Sequence, residues 1–413
     1  MSSPSASSHG PTHEGSARSG EIVRVEKVVA EGDGLGRLAD GRVVFVEGAL
    51  PGETVEISIV KQSRDYARAT IARIVEPSHE RVDPPCPNVA RGCGGCDLQH
   101  ASLSLQRSIK IGIVRESLQR LGRVSSPDVR STWLESRVGE RSTMRVARAV
   151  DGSLGFRMRR RHDVLSVDHC PVVRSELDAC FGAVRAPADV EEITLRVSAV
   201  SGVVGAWWEP SHADVDGLGG HTVTGAGARL LETVHGRELQ VSMASFFQSS
   251  PGAAEAIVDA VAAALGPVDA WREGAFVDLY GGIGLFSATV APHDRPVVVV
   301  EANPFACDDA RRNLSDHSAS VESCRVEEWD PVRAAVVVAD PSRDGLRAGG
   351  VAAIERTGAD LVALVSCDPA SLGRDARLLV EAGFDLEWVE VLDPFPHTHH
   401  VEAVSRFVRR EKI

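Results

Sequence analysis

The sequence lacks any apolar run that approaches the ~20 residues a helix needs to cross a bilayer, so no membrane-spanning helix is predicted. Its first 20 residues are rich in Ser, Gly and His and lack the apolar core of a secretory signal peptide. We therefore expect a cytoplasmic protein in which residues 1–20 form a disordered tail. We also expect no association with membranes, no obligate protein partner, and therefore a monomer.

Internal repeats are absent, and the chain is too long for one ordinary domain, so two or three domains are expected. Of its 413 residues, 43% are hydrophobic and 25% are charged, proportions typical of soluble globular proteins. After the tail, the pattern predicts a β-rich segment at 21–78, a cysteine-containing middle region at 79–240, and a region of alternating strands and helices at 241–413.

The sequence also lacks an excess of positive charge, and its net charge at pH 7 is −13. This total lowers non-specific affinity for nucleic acid, but phosphate contacts depend on local patches. Residues 137–174 contain nine Arg and four acidic residues, a local charge of +5, and include the run Arg157-Met-Arg-Arg-Arg161. This segment is either a solvated basic face or a surface that binds RNA.

The segment 21–78 contains four or five short apolar stretches separated by Gly-rich turns, such as Glu31-Gly-Asp-Gly-Leu-Gly36 and Leu50-Pro-Gly52. So many short strands in so few residues predict a small β-barrel, often of the OB type. Residues 21–80 are not basic, because they contain eight Lys or Arg and eleven Asp or Glu.

Region 241–413 predicts an α/β fold. Its apolar runs alternate with helical patterns and span residues 276–280, 296–301, 334–340, 361–367 and 386–392. Strands that alternate with helices indicate a parallel, doubly wound sheet, whose ligands bind beyond the carboxyl ends of the strands. The polar residues at these ends are Asp278, Glu301, Asp340, Cys367 and Asp393.

A Gly-rich loop, Asp278-Leu-Tyr-Gly-Gly-Ile-Gly284, follows the first of these strands and precedes a short helix. Gly282 and Gly284 let the backbone approach a ligand closely, although the loop alone is also compatible with a tight structural turn. The spacing is not the GxGxxG of dinucleotide-binding folds. Glu301 ends the next strand, where a carboxylate can accept both hydroxyls of a ribose. Asp340 ends a further strand at the same edge of the sheet. Together with Glu301 and Asp340, the loop predicts an adenosyl ligand.

Cys367 lies in Val365-Ser-Cys-Asp-Pro369, where a strand ends and a helix begins. A lone cysteine is more often a small hydrophobic core residue. Here, however, its neighbours are polar, it lies at the ligand edge of the sheet, and a helix N-terminus favours the thiolate. We therefore predict a nucleophile.

The segment Asp393-Pro-Phe-Pro-His-Thr-His-His-Val-Glu402 follows the last of these apolar runs and supplies the candidate base, Glu402. Its three histidines lack the helical spacing and acidic partners of a metal site. We expect His397, His399 and His400 to make structural hydrogen bonds.

Five motifs occur in order in region 241–413: Phe246-Phe-Gln248, Asp278-Leu-Tyr-Gly-Gly-Ile-Gly284, Asp340-Pro-Ser-Arg-Asp-Gly-Leu346, Ser366-Cys-Asp-Pro369 and Phe395-Pro-His-Thr-His-His-Val-Glu402. Together they resemble the RNA uracil-C5 methyltransferases, which form 5-methyluridine in tRNA and 23S rRNA. The resemblance implies a class I, Rossmann-like methyltransferase domain that uses S-adenosylmethionine, a β-rich middle domain, and an N-terminal barrel similar to the RNA-binding TRAM domain. Two departures are Ser342, where the family has a second Pro, and Leu285, where some members have Asn.

The resemblance also implies roles for individual residues. Cys367 is the implied nucleophile and Glu402 the implied base, and the implied cofactor contacts are Gln248, Tyr280, Glu301 and Asp340. A cysteine suits this reaction because C5 of uracil is a poor nucleophile until a thiolate adds at C6. Two other functions stay open: an RNA-binding protein of this fold without catalysis, and an RNA methyltransferase directed at N or O atoms, which needs no cysteine.

Four further cysteines form a set, with Cys86, Cys93 and Cys96 close together and Cys170 far downstream. Four thiolates without histidine suit zinc or an iron–sulfur cluster, and spacing does not separate the two. The resemblance favours a [4Fe–4S] cluster. The substrate it implies is 23S rRNA or tRNA, and the cluster together with the TRAM-like barrel favours rRNA.

Overall fold

The computed structural model describes residues 19–134 and 139–411. Residues 1–18 of the predicted tail and Arg137 of the basic segment lie outside the described residues. The chain divides into two compact units, residues 1–81 and 82–413. Within the described ranges, no helix is both long and apolar enough to cross a membrane.

The first unit is a closed five-stranded barrel. Its strands are β1 (Ser19–Val28), β2 (Gly34–Arg37), β3 (Val43–Glu47), β4 (Thr54–Gln62) and β5 (Tyr66–Glu76). The strand order is β1, β2, β3, β5, β4, and pairing of β1 with β4 closes the barrel. Alternate residues point inward, as the two-residue period of a strand requires, and they include Val23, Val44, Val55, Ile57 and Ala69. The predicted small β-barrel is confirmed.

Two helices and one strand open the second unit: α1 (Pro87–Ala90), α2 (Leu103–Arg120) and β6 (Val129–Thr132). A six-stranded sheet and one helix follow. In chain order these elements are β7 (Thr143–Arg148), β8 (Leu154–Arg157), β9 (Val164–Ser166), α3 (Ser175–Ala183), β10 (Glu192–Val197), β11 (Val204–Trp208) and β12 (Val223–Thr224). Its order is β12, β11, β10, β7, β8, β9. A hairpin of β13 (Arg229–Val234) and β14 (Arg237–Ser242) completes this part.

The rest of the second unit alternates helices and strands around a large sheet. Its elements are α4 (Pro251–Leu265), β15 (Ala275–Leu279), α5 (Leu285–Thr289), β16 (Val297–Glu301), α6 (Pro304–Asn313), β17 (Ala319–Ser323), β18 (Ala334–Ala339), α7 (Arg347–Thr357), β19 (Leu361–Ser366), α8 (Pro369–Glu381), β20 (Phe384–Leu392) and β21 (Glu402–Arg409). Short 3₁₀ turns lie at Val268–Ala270 and Val326–Glu328. Three of the helices begin at a Ser, Asn or Asp cap followed by Pro, a typical helix start: α4, α6 and α8.

The large sheet has eight strands in the order β17, β16, β15, β18, β19, β21, β20, β6. The strands from β17 to β19 are parallel, whereas β21 runs antiparallel between β19 and β20. Apolar side chains of the strands enter a hydrophobic core on each face of the sheet. The predicted α/β fold with a doubly wound sheet is confirmed. The sheet also contains β6, which comes from the region expected to be the middle domain.

Glu53, just before β4, is a buried carboxylate that organises the barrel. It accepts hydrogen bonds from the Leu50 amide (2.8 Å), the Ser78 amide (3.3 Å) and the Arg81 guanidinium (2.6 and 2.8 Å). Burial by itself favours the neutral acid, but the hydrogen bonds from Arg81 and Leu50 outweigh it and lower the pKa of Glu53.

We expect Glu53→Gln to destabilise the barrel by about 3 kcal/mol, because it leaves a partly buried guanidinium without its charged partner. Since the folded-state pKa is lowered, the wild-type stabilisation is complete above the ordinary value of 4.5 and is lost as the pH falls below it. Hydrogen exchange of strands β1–β5 in the full chain measures this. Glu56→Gln, which removes an exposed pair with Arg73, is the control and should cost less than about 1 kcal/mol. Equal losses in the two variants would contradict the role of Glu53.

Candidate active site

The Gly-rich loop after β15 turns through left-handed backbone conformations. Tyr280, Gly282 and Gly284 have φ values of 56°, 54° and 81°. A Cβ built on Gly282 would meet no atom within 4 Å, so its left-handed φ, and not crowding, is what favours glycine there. Gly284 is the N-cap residue of α5. The loop thus exposes its backbone at the carboxyl edge of the sheet.

Asp278 lies beneath this loop and does not line the cavity above it. It is fully buried, and its carboxylate accepts hydrogen bonds from the Ser287 amide (3.2 Å) and hydroxyl (2.7 Å). Burial raises the pKa of Asp278 to about 7. The residue therefore fixes α5 against the end of β15.

Glu301, the last residue of β16, holds the opposite side of the loop. Its carboxylate accepts hydrogen bonds from the backbone amides of Gly282 (3.0 Å) and Asn303 (2.7 Å). The parallel pairing of β15 with β16, which aligns Leu279 with Val300, sets this geometry.

A cavity of roughly 470 Å³, here called the Gly-loop cleft, lies above these strand ends. Five of the seven predicted cofactor-binding residues line it: Gln248, Tyr280, Gly282, Glu301 and Asp340. The other two, Asp278 and Gly284, do not line it. The Tyr280 hydroxyl is buried and has no hydrogen-bond partner among the described residues, and burial raises the pKa of Tyr280. The cleft is thus walled by a peptide loop, carboxylates and aromatic rings, a combination that suits a nucleoside.

Cys367 and Glu402 also line the Gly-loop cleft, and strand pairing brings them together. In the antiparallel pair of β19 and β21, Ser366 lies opposite Ala403. One step further along both strands, Cys367 therefore lies opposite Glu402. These two residues, 35 positions apart in the sequence, become neighbours because β21 inserts beside β19.

The electrostatics of this pair oppose ionisation. Burial, followed by the carboxylates of Glu402 and Asp340, raises the pKa of Cys367 to about 12, although Arg343 acts in the opposite direction. Burial and Asp340 also raise the pKa of Glu402, whose buried Oε1 atom has no hydrogen-bond partner within residues 19–134 and 139–411. The helix N-terminus was expected to favour the thiolate, and a backbone hydrogen bond at Cys367 does act in that direction, but burial outweighs it and raises the pKa of the thiol.

A second cavity of roughly 410 Å³, here called the cysteine cavity, adjoins the first. The four predicted metal ligands, Cys86, Cys93, Cys96 and Cys170, all line it. It shares four lining residues with the Gly-loop cleft: Phe246, Arg343, Cys367 and Glu402. The four cysteines and the predicted catalytic pair, Cys367 and Glu402, therefore line one cavity, and the catalytic pair also lines the Gly-loop cleft.

Four thiols at one cavity form a donor set that suits either zinc or an iron–sulfur cluster. Burial raises the pKa of Cys96 to about 11 and that of Cys170 to about 12, and neighbouring sulfurs act in the same direction. A cationic metal centre reverses this cost.

Hydrogen bonds join the turn after Cys96 to the segment that leads into β21. The amides of Asp97 (3.0 Å) and Leu98 (2.9 Å) both donate to the carbonyl of His397, and the Asp97 carboxylate accepts from the His399 amide (2.9 Å) and pairs with its ring. His397 also contacts the Gln106 side chain through its amide (2.9 Å) and ring (3.3 Å). The expected structural hydrogen bonding is confirmed for His397 and His399.

Three supporting residues were missed in the sequence: Asp97, Gln106 and Lys110. Lys110 is fully buried on α2, where its ammonium pairs with the Asp393 carboxylate and donates to the Phe395 carbonyl (2.9 Å). The available signal was a lysine among the apolar positions of a helix, next to Ile109 and Ile113. Its acidic partner lies 283 residues away and leaves no local pattern.

Comparison with known proteins places these features in a family. Residues 20–72 match the TRAM domain. The chain is 32% identical to an uncharacterized RNA methyltransferase of Gloeobacter violaceus over 97% of this chain and 99% of the relative. It is 31% identical to a protein of Halomonas elongata named 23S rRNA (uracil(1939)-C(5))-methyltransferase, over 92% of this chain and 88% of the relative.

A solved structure shows the same fold. It is the tRNA (uracil-54, C5)-methyltransferase of Pyrococcus abyssi in complex with S-adenosyl-L-homocysteine, with a TM-score of 0.70 and 21% identity. The match covers 95% of this chain and 100% of that chain. The class I methyltransferase fold expected for the second unit is thereby confirmed.

The raised pKa of Cys367 predicts how its thiol reacts in the free protein. Alkylation by iodoacetamide, followed by mass spectrometry of the Cys367 peptide, should accelerate about tenfold per pH unit up to roughly pH 9.5, because only the thiolate reacts. Glu402→Gln removes a neighbouring negative charge and should increase the rate at pH 8. A rate that levels off between pH 9 and 10, as expected for a thiol with the ordinary pKa of 9.0, would contradict the raised pKa.

Proposed function

The chain belongs to the family of RNA uracil-C5 methyltransferases, and we propose that it transfers the methyl group of S-adenosylmethionine to C5 of a uridine in RNA. The observation that carries this proposal is the pairing of β19 with β21, which sets Cys367 opposite Glu402 at the wall of the Gly-loop cleft. A nucleophile and a base on adjacent strands are what this reaction requires.

The residues of the cleft fit the cofactor. We assign the ribose hydroxyls to Glu301 and further contacts to Gln248, Tyr280, Gly282 and Asp340, whereas Asp278 and Gly284 shape the loop from behind. When bound, the cofactor supplies an electrophilic methyl group on a sulfonium. A positive charge in this cleft opposes the repulsion that Glu402 and Asp340 exert on the Cys367 thiolate, so the cleft favours ionisation of Cys367 only when it is occupied.

Cys367 acts first on the uridine. Its thiol gives its proton to solvent, and the thiolate forms a bond to C6 while the electron pair of the C5–C6 double bond moves toward C5 and the C4 carbonyl, which makes C5 electron-rich. C5 then takes the methyl group, the bond from that methyl group to the sulfonium sulfur breaks with S-adenosylhomocysteine as the by-product, and C5 holds both the methyl group and its original hydrogen. Glu402 removes that hydrogen as a proton, the C5–C6 double bond forms again, and the bond from C6 to sulfur breaks to release Cys367. The raised pKa of Glu402 suits a group that must accept a proton from carbon.

The proposed RNA is 23S rRNA. Two relatives of 30% and 31% identity, from Pectobacterium atrosepticum and Halomonas elongata, are named for a uracil of 23S rRNA. The exposed Arg157, Arg160 and Arg161 form a basic turn that suits phosphate binding. Mapping 5-methyluridine in rRNA and tRNA from cells with and without the gene tests this, and loss of the modification from tRNA alone would overturn it. The monomeric state, the cytoplasmic location and the domain boundaries near 78 and 240 stay predictions.

We further propose that Cys86, Cys93, Cys96 and Cys170 hold a [4Fe–4S] cluster with a structural role. Met158 forms a β-bridge with Cys93, and the Gly94 amide donates to the Arg157 carbonyl (3.0 Å), so the cysteine loop supports the basic turn. On its other side the same loop binds the His397–His399 segment through Asp97. Methyl transfer is redox-neutral, so the cluster has no electron to supply.

The covalent mechanism predicts a trapped intermediate. RNA that contains 5-fluorouridine should form an adduct with the wild-type protein that survives a denaturing gel, because fluorine does not leave C5 as a cation. Glu402→Gln should accumulate the adduct with natural RNA and lose at least about 100-fold in turnover. Cys367→Ala is the control and should form neither adduct nor product. Full turnover by Cys367→Ala would instead indicate methylation of N or O atoms, and RNA binding without methyl transfer by the wild type would indicate a binding protein.

The cluster proposal predicts about four iron and four sulfide ions per chain after anaerobic purification. Cys170→Ala should lose most of this iron and lower the melting temperature. Cys180→Ala is the matched control, because this thiol lies on α3 and does not line the cysteine cavity, and it should retain the iron. A colourless protein with one zinc ion would contradict the proposal.

A further inference from the structure

A third cavity lies on the open face of the six-stranded sheet. We call it the sheet groove; its volume is roughly 340 Å³, and its walls include Arg145, Thr194, Trp207, Phe246, Phe247 and Phe395. Pairing in the sheet puts Arg145 opposite Thr194, and Thr194 opposite Trp207. These three residues therefore form one row across β7, β10 and β11, on the same face of the sheet.

The two faces of this sheet differ in character. The residues that alternate with the row, including Met144, Leu195 and Ala206, are buried in the hydrophobic core of the middle region. The row itself combines a mostly exposed guanidinium, a hydroxyl and an indole. A sheet face that presents aromatic and cationic side chains is a typical platform for single-stranded RNA, because bases stack on the rings and phosphates pair with the cations.

Two observations indicate that this face receives a ligand. The Trp207 indole N–H is buried and, within the part of the chain that the structure describes, donates to no acceptor. Phe246, which also lines the groove, is 71% exposed and so presents an apolar ring to a ligand. An unpaired donor and an exposed ring suit a flat, polar-edged group such as a nucleobase.

The groove is continuous with the proposed reaction site. Phe246 and Phe247 line both the sheet groove and the Gly-loop cleft. Arg196, buried beneath the groove, donates to the carbonyls of Ser242 (3.1 Å) and Ser245 (2.8 Å) and so fixes the chain just before Phe246. A strand whose uridine enters the cleft therefore has its neighbouring nucleotide at the mouth of the groove.

We propose that the sheet groove binds one nucleotide that flanks the target uridine, with its base between Trp207 and Phe246 and its phosphate near Arg145. This inference rests on the proposed function, since it names a second contact for the same RNA. It makes Trp207 a residue that positions RNA and takes no part in the chemistry.

The experiment uses substrate RNA with 2-aminopurine one position before or after a 5-fluorouridine. The covalent adduct fixes the target, and the fluorescence of 2-aminopurine reports stacking of its neighbour. One of the two labelled RNAs should be quenched in the wild-type adduct and should regain fluorescence in the Trp207→Ala adduct. Trp207→Ala should also raise KM for RNA by roughly 5- to 150-fold, the range expected for one base stacked on one ring, while kcat changes less than about twofold.

Two further variants complete the test. Trp207→Phe keeps a ring and should restore most of the quenching and affinity, which also guards against a folding defect in Trp207→Ala. Phe305→Ala is the control, because this partly exposed ring lies on α6 outside the groove, and it should leave both quantities unchanged. If the wild type forms no adduct, the proposed function itself fails. If the adduct forms but neither label responds to Trp207→Ala, the groove inference is overturned.

Discussion

The antiparallel pairing of β21 between β19 and β20 is the constraint on which the site depends. It sets Glu402 opposite Cys367 and holds both where the parallel strands end and the Gly-rich loop begins. Without this insertion the glutamate would lie at the far edge of the sheet, away from the cysteine. The surrounding contacts serve the same geometry, because Lys110, Gln106 and Asp97 hold the segment that leads into β21 at three points.

The electrostatic design follows from this packing. Two acidic groups, Asp340 and Glu402, share a poorly solvated wall with the Cys367 thiol, and burial raises the pKa of each toward its neutral form. Such a site resists spurious reaction while it is empty, because the nucleophile stays protonated. Under the proposed mechanism, a cationic cofactor and an electron-poor ring would replace the missing solvent, which would link the chemistry to correct occupancy of the cleft.

Much of this architecture was predictable from sequence, for identifiable reasons. Alternating apolar runs indicated the α/β sheet, and the rule that ligands bind at strand ends selected Glu301, Asp340 and Cys367. The ionisation of Cys367 was not predictable, because it depends on carboxylates that only the fold brings near. The roles of Lys110 and Asp97 were not predictable either, because their hydrogen-bond partners lie hundreds of residues away in the sequence. The row of Arg145, Thr194 and Trp207 on the six-stranded sheet depends on the register of three strands, and strand register is difficult to predict from a single sequence.

Phe246 forms part of the wall of all three cavities. A shift of this ring changes the wall of all three cavities at once, so binding in one cavity is coupled to binding in the others. Such linkage is reciprocal: whatever the cofactor does to RNA affinity through this ring, RNA does to cofactor affinity. A substitution at Phe246 would consequently alter several equilibria at once, and its phenotype would not report on any one of them in isolation.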